Sequence, residues 1–187
     1  MDKQTLKVIL ILLSILALIY VTYLTSKVDK VNFVKIDLPE NNEIINQTSR
    51  SYLDTIVSIG LDEMEISGVK LYVMNLDESF KNNPSRGTGD MDLKATVFNY
   101  GKDYILYIDE SVGKRESIEI ITHELIHLNQ YISGDLKIIS KSGTVLWKGE
   151  VIETLNTDYG SRPWEIDAFS RGRKLSDEVW DILVVKN

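Results

Sequence analysis

The chain has 187 residues, a formal net charge of -7 and no cysteine, a length that fits one ordinary domain plus an anchor or tail. With 43% hydrophobic and 26% charged residues it can bury a core, which excludes wholesale disorder. The missing cysteines exclude disulfides, cysteine-ligated zinc, iron–sulfur clusters, a thiol nucleophile and a lipidated cysteine. The acidic balance excludes a nucleic-acid-coating protein, which needs a basic face.

Val8 to Ser26 is an uncharged run, VILILLSILALIYVTYLTS. As a helix it spans roughly 28 Å, close to the hydrocarbon thickness of a bilayer, and Tyr20 and Tyr23 suit the headgroup level. Residues 1–27 are therefore expected to form a single-pass transmembrane anchor. The run is longer than a signal peptide's apolar region and lacks a small-x-small exit, so the anchor is expected to stay uncleaved. Lysines flank it on both sides (Lys3 and Lys7; Lys27, Lys30 and Lys35), so charge alone does not orient it. The expected arrangement is a short inner tail with an extracytoplasmic domain. Leaving out residues 1–27 removes Lys3, Lys7, Lys27 and Asp2, so the remainder holds 18 basic and 27 acidic residues, a net charge of -9. Anionic lipid repels such a domain.

Residues 28–43 mix charge with Pro39 and read as a stalk or first strand, ahead of a domain over 44–187. From Ile44, the residues Ile45, Tyr52, Ile56 and Ile59 fall at helical spacing, which predicts a helix ending before Gly60. Gly68 to Leu76 alternates and is rich in β-formers, a strand. Lys81 to Lys94 is a loop by composition, and Ala95–Tyr100 and Tyr104–Asp109 flank Gly101-Lys102-Asp103 as a hairpin. A helix is expected from Lys114 to Ser133, stopped by Gly134. Leu136–Ser140 and Thr144–Lys148 form a second hairpin around Lys141-Ser142-Gly143. A last helix is expected from Pro163, in a first turn, to Val184. This order predicts an α+β fold with a small antiparallel sheet.

The two histidines, His123 and His127, stand in His123-Glu124-Leu125-Ile126-His127, an H-E-x-x-H motif inside a predicted helix. At 100° per residue they project from one face, while Ile118, Ile121, Leu125, Leu128 and Ile132 form the opposite, apolar side. Two imidazoles at this spacing bind one metal ion, with Glu124 bordering the same side to serve a metal-bound water rather than to ligate. Catalytic zinc takes three protein ligands and one open position. With no further histidine and no cysteine, the third must be a carboxylate. Glu165, in Arg162-Pro163-Trp164-Glu165-Ile166-Asp167-Ala168-Phe169, is the best candidate, and Ala168 leaves room for close helix packing. Asp167 is the rival, on the other side of the same helix.

HELIHLNQY followed by YGSRPWEIDAF resembles the gluzincin-type metallopeptidases, and more closely small zincin-like proteins with HELxHxxQ and a later Pro-x-Glu-x-x-Ala. The resemblance covers Glu116–Phe169. It implies a zincin-like domain with His123, His127 and Glu165 as zinc ligands, Glu124 as general base, and an edge strand from Ala95–Asp109 that pairs with an extended substrate. A counterpart of the large C-terminal helical lobe of the bigger gluzincins is not expected within these 187 residues.

The expected function is zinc-dependent hydrolysis of a peptide or protein substrate. Glu124 takes a proton from the attacking water, and Tyr159 and Arg162, ahead of Tyr131, are candidate donors to the oxyanion. The alternative is a non-enzymatic anchored binding module with a structural or vestigial metal site. Trp147, Trp164 and Trp180 read as packing residues. Asp90-Met91-Asp92 reads as a solvated loop rather than a calcium site, and Gly87-Thr88-Gly89 lacks the context of a phosphate loop. Gln130, one turn beyond His127, reads either as a hydrogen-bonding partner of a group around the site or as one of the many glutamines on exposed helix positions.

Overall fold

A computed structural model describes residues 42–76, 93–140 and 143–184. The apolar run at 1–27, most of the 81–94 loop and the Gly87 and Asp90 segments lie outside the described residues. No helix among the described residues is long and apolar enough to cross a membrane.

The fold is α+β, and the described residues form three α-helices and two small sheets. Its first elements are β1 (Glu43–Asn46), α1 (Tyr52–Glu63) and β2 (Lys70–Asn75). The predicted helix from Ile44 is thus corrected: its first turn is a strand. Ile44 and Ile45 pair in parallel with Leu71 and Tyr72. Asn42 seals the junction, its side chain donating to the Ile66 carbonyl and accepting from the Val69 amide. Nor does α1 end at Gly60. A Cβ there would stand 2.5 Å from Leu125 Cδ1, so the glycine marks a close helix approach rather than a terminus.

The hairpin follows as β3 (Ala95–Tyr100) and β4 (Asp103–Ile108). The larger sheet runs in the order β1-β2-β4-β3. This sheet is mixed rather than antiparallel, because β1–β2 and β2–β4 are parallel and only β3–β4 is antiparallel; the expected small antiparallel sheet is the second, three-stranded one. The crossover through α1 returns β2 alongside β1 in the same direction, as a helical connection permits and a tight turn does not.

Next come α2 (Lys114–Ser133), β5 (Leu136–Ile138), β6 (Thr144–Trp147), β7 (Glu150–Glu153) and α3 (Pro163–Leu183). Gly134 ends α2 in the left-handed region at φ 76. β7 is an unpredicted strand. Lys148 and Gly149 both have positive φ, 47 and 89, the two-residue hairpin geometry that returns β7 against β6.

One core joins Leu71, Val73, Leu106 and Ile108 of the larger sheet to Ile56 of α1, Ile118, Ile121, Leu125 and Leu128 of α2, and Val179 of α3. Each Ile or Leu fully buried there contributes about 1.5–3 kcal/mol. Ile132 departs from the expected apolar stripe. It is 43% exposed, because the end of α2 runs past this core. A second core of Leu136, Val145, Trp147 and Trp164 ties the smaller sheet to the start of α3. In it Trp147 and Trp164 meet at a ring separation of 6.5 Å. Trp180 packs on the main core with the Arg115 guanidinium 4.7 Å above its ring. All three tryptophans are packing residues.

Candidate metal centre

Two helices build the site. α2 is held in the core by its apolar side and turns both histidines toward α3. Pro163 opens α3, and Glu165 stands in its first turn, where the positive end of the helix dipole favours a carboxylate. The Trp164 core fixes that turn, so the second core places Glu165.

His127 Nε2 lies 3.1 Å from His123 Nε2 and 3.2 Å from Glu165 Oε2, and His123 Nε2 lies 3.3 Å from the same oxygen. Together the three side chains form a cluster that can hold a metal ion, and no fourth His, Asp or Glu among the described residues joins it. Ligands about 2.0–2.1 Å from a tetrahedral ion stand about 3.3–3.5 Å apart. The triangle, with sides of 3.1, 3.2 and 3.3 Å, is slightly tighter than that, and a small outward shift of the side chains would seat the ion. Asp167, the rival, is engaged elsewhere. Its Oδ2 accepts from Gln130 Nε2 at 2.9 Å and from Arg171 at 3.1 Å.

The close approach of α3 depends on Gly172, which sequence reasoning passed over. A Cβ at Gly172 would stand 3.0 Å from His123 Cα and 3.2 Å from its nitrogen. Those atoms are helix backbone and cannot swing aside. Gly172→Ala is therefore expected to cost about 1–3 kcal/mol by overpacking, even after the better helix propensity of alanine. Thermal melts should show a larger loss than for Gly60→Ala, where the obstacle is a leucine methyl. The signal was readable in hindsight as the i+7 position from Glu165.

Glu124 is buried beside the cluster, and its Oε2 accepts from the Val97 amide at 2.9 Å. The Asp109 amide donates to the Lys94 carbonyl, so the alternation of the β3–β4 ladder turns the Val97 amide away from β4, toward Glu124. Burial raises the Glu124 pKa, and the neighbouring histidines only partly oppose this. Burial acts to lower the His127 pKa, but its hydrogen bond to Glu165 and the charges of Glu124 and Glu165 outweigh it, raising it to about 9. For Glu165, burial is overcome by the hydrogen bonds from both histidines, which hold the carboxyl well below the usual range.

A histidine pKa raised from 6.5 to about 9 contributes stability that is fully present below pH 6.5 and is lost as pH rises through about 9. In the metal-free chain the melting temperature is accordingly expected to fall between about pH 6 and about pH 10. His127→Ala should flatten that part of the profile; an unchanged slope in the variant would assign the dependence elsewhere.

The cluster lies in a cleft of about 1440 Å³ whose walls include Tyr131, Tyr159 and Arg162. Tyr159 hydrogen-bonds Glu165, and burial first, then the Glu165 charge, pushes its pKa far up. Tyr131 is raised to about 12 by burial and by the charges of Glu124 and Glu165. The Arg162 guanidinium stacks 5.4 Å from the Tyr159 ring and reaches the Thr157 and Thr154 carbonyls at 3.4 Å each. It buttresses Tyr159. Sequence reasoning also missed Phe169, half-exposed in the cleft, whose ring stands 4.6 Å from His123. Its i+4 spacing from Glu165 was the available signal. No protein-family model matches the chain, and no curated protein matches it.

Proposed function

We propose that the chain is a zinc-dependent peptidase with a zincin-like domain, tethered to a membrane by residues 1–27 with the domain on the extracytoplasmic side. The convergence of His123, His127 and Glu165 beside Glu124 in an open cleft carries this reading. Two imidazoles and a carboxylate at these separations suit zinc. A three-ligand set favours catalysis over a structural site, which takes four protein ligands.

Zinc, when bound, supplies a Lewis acid and lowers the pKa of water to around 7. Glu124 accepts the proton of the attacking water and delivers it to the leaving amine. Its raised pKa brings it closer to the neutral range, where such transfer is efficient. Tyr159 keeps its proton and, with its hydroxyl turned from Glu165 to the substrate, is the favoured donor to the oxyanion, with Arg162 holding its ring. An extended peptide is the fitting substrate, because β3 is the sheet edge and its residues Ala95, Thr96 and Val97 line the cleft.

The test is metal analysis and proteolysis together. The purified full chain, saturated with zinc, is expected to carry about one zinc per chain and to cleave an unfolded protein, with cleavage stopped by a chelator and restored by zinc. Background metal content overturns the proposal. Stoichiometric zinc without cleavage of any unfolded substrate leaves the binding-module alternative in its place.

A further inference from the structure

Gln130 reaches both ligand-bearing helices, and nothing in the proposed chemistry uses it. It is 1% exposed. Its Nε2 stands 3.0 Å from the Trp164 carbonyl oxygen and 2.9 Å from Asp167 Oδ2. Both of those groups only accept, so the amide nitrogen must face them and the orientation of the side chain is determined. Oε1 then faces His127 Nδ1 at 2.8 Å. An amide oxygen also only accepts, so in the neutral ring the proton sits on Nδ1 and the lone pair of Nε2 faces His123 and Glu165.

Resting on the zinc reading, we infer that Gln130 is a positioning residue of the metal centre. Locked by Trp164 and Asp167 on α3, it keeps the His127 proton on Nδ1, aims Nε2 at the ion and fixes the spacing between α2 and the first turn of α3. Asp167 is then the anchor of this arrangement rather than a ligand, with Arg171 holding it in turn. Trp164 and Asp167 flank Glu165 in sequence, so one side chain sets both the aim of a histidine ligand and the seat of the carboxylate ligand.

The test is zinc affinity of the full chain, measured by competition with a chelator. Gln130→Glu keeps the shape but sets a carboxylate against the Trp164 carbonyl and the Asp167 carboxylate. It is expected to weaken binding by about 10–100-fold, the range for outer partners of metal ligands. Asp167→Asn still offers an oxygen to Gln130 and is expected to bind nearly as wild type. In the double variant, Gln130→Glu with Asp167→Asn, the new amide donates to the new carboxylate, and most of the loss is expected to be recovered. A packing role alone produces no such recovery, because all three variants keep their volumes. Gln130→Met, which adds no charge, covers the case in which Gln130→Glu does not fold. In the zinc-loaded wild type, NMR is expected to show a slowly exchanging proton on His127 Nδ1 that Gln130→Met loses. Wild-type affinity in Gln130→Glu, a double variant no tighter than the single one, or zinc on His127 Nδ1 overturns the inference. A wild-type chain that binds no zinc overturns both this inference and the proposed function, whereas any of the former results leaves the proposed function standing.

Discussion

Glu124→Gln is expected to keep the metal and to lose hydrolysis by about 10²–10⁴-fold, the contribution of a well-placed general base. The substitution is nearly isosteric, and its remaining oxygen can still accept from the Val97 amide that now meets Glu124 Oε2. Since burial already disfavours the charged carboxylate, a neutral side chain should not weaken the fold much. What the amide cannot do is take up a proton near neutral pH. Metal content measured beside kcat on a peptide substrate separates these effects. Full activity at unchanged metal content removes Glu124 from the role of base, and a parallel loss of metal shows that the variant disturbed the site itself.

The part of the site carried by one helix was open to sequence reasoning; the part carried between helices was open only in outline. His123 and His127 are set by a local period, so their common face follows from helical geometry. Glu165 was reached by elimination from composition, because a chain without cysteine or further histidine must complete such a site with oxygen. The choice against Asp167 needed its partners, Gln130 and Arg171, and those lie on another helix or one turn along. The sheet shows the same division. The β3–β4 hairpin has a local turn signal, whereas β7 is announced only by Lys148-Gly149, a weaker one than Asn-Gly or Asp-Gly. The parallel pairing of β1 with β2 has no local signal. Ile44 and Ile45 fit a helical stripe as well as a strand, and only the sheet partner decides between them. Gly60 shows why a glycine is ambiguous punctuation: the packing of Leu125 gave it a purpose that chain position could not reveal.

Glu165→Ala is the change expected to do most damage, since it acts on metal binding and on the fold together. If Glu165 is one of three ligands, as proposed, its removal should weaken zinc binding by more than the roughly 10–100-fold assigned to an outer partner, so Glu165→Ala must exceed Gln130→Glu in the same competition assay. In the metal-free chain it also strips the buried acceptor from His127 and His123 while Glu124 remains close by. Removing one partner of a buried pair costs up to about 3–5 kcal/mol, reduced here because the Glu124 charge still favours protonated His127. Glu165→Gln keeps an oxygen for the histidines and is expected to recover part of the stability but not the metal affinity, for lack of charge. Asp167→Asn is the control on the same helix and should retain both. Chemical denaturation of the metal-free variants, set beside their zinc affinities, decides the matter. If Glu165→Ala binds zinc as tightly as Asp167→Asn, then Glu165 is not a ligand and its place between the imidazoles serves only the fold.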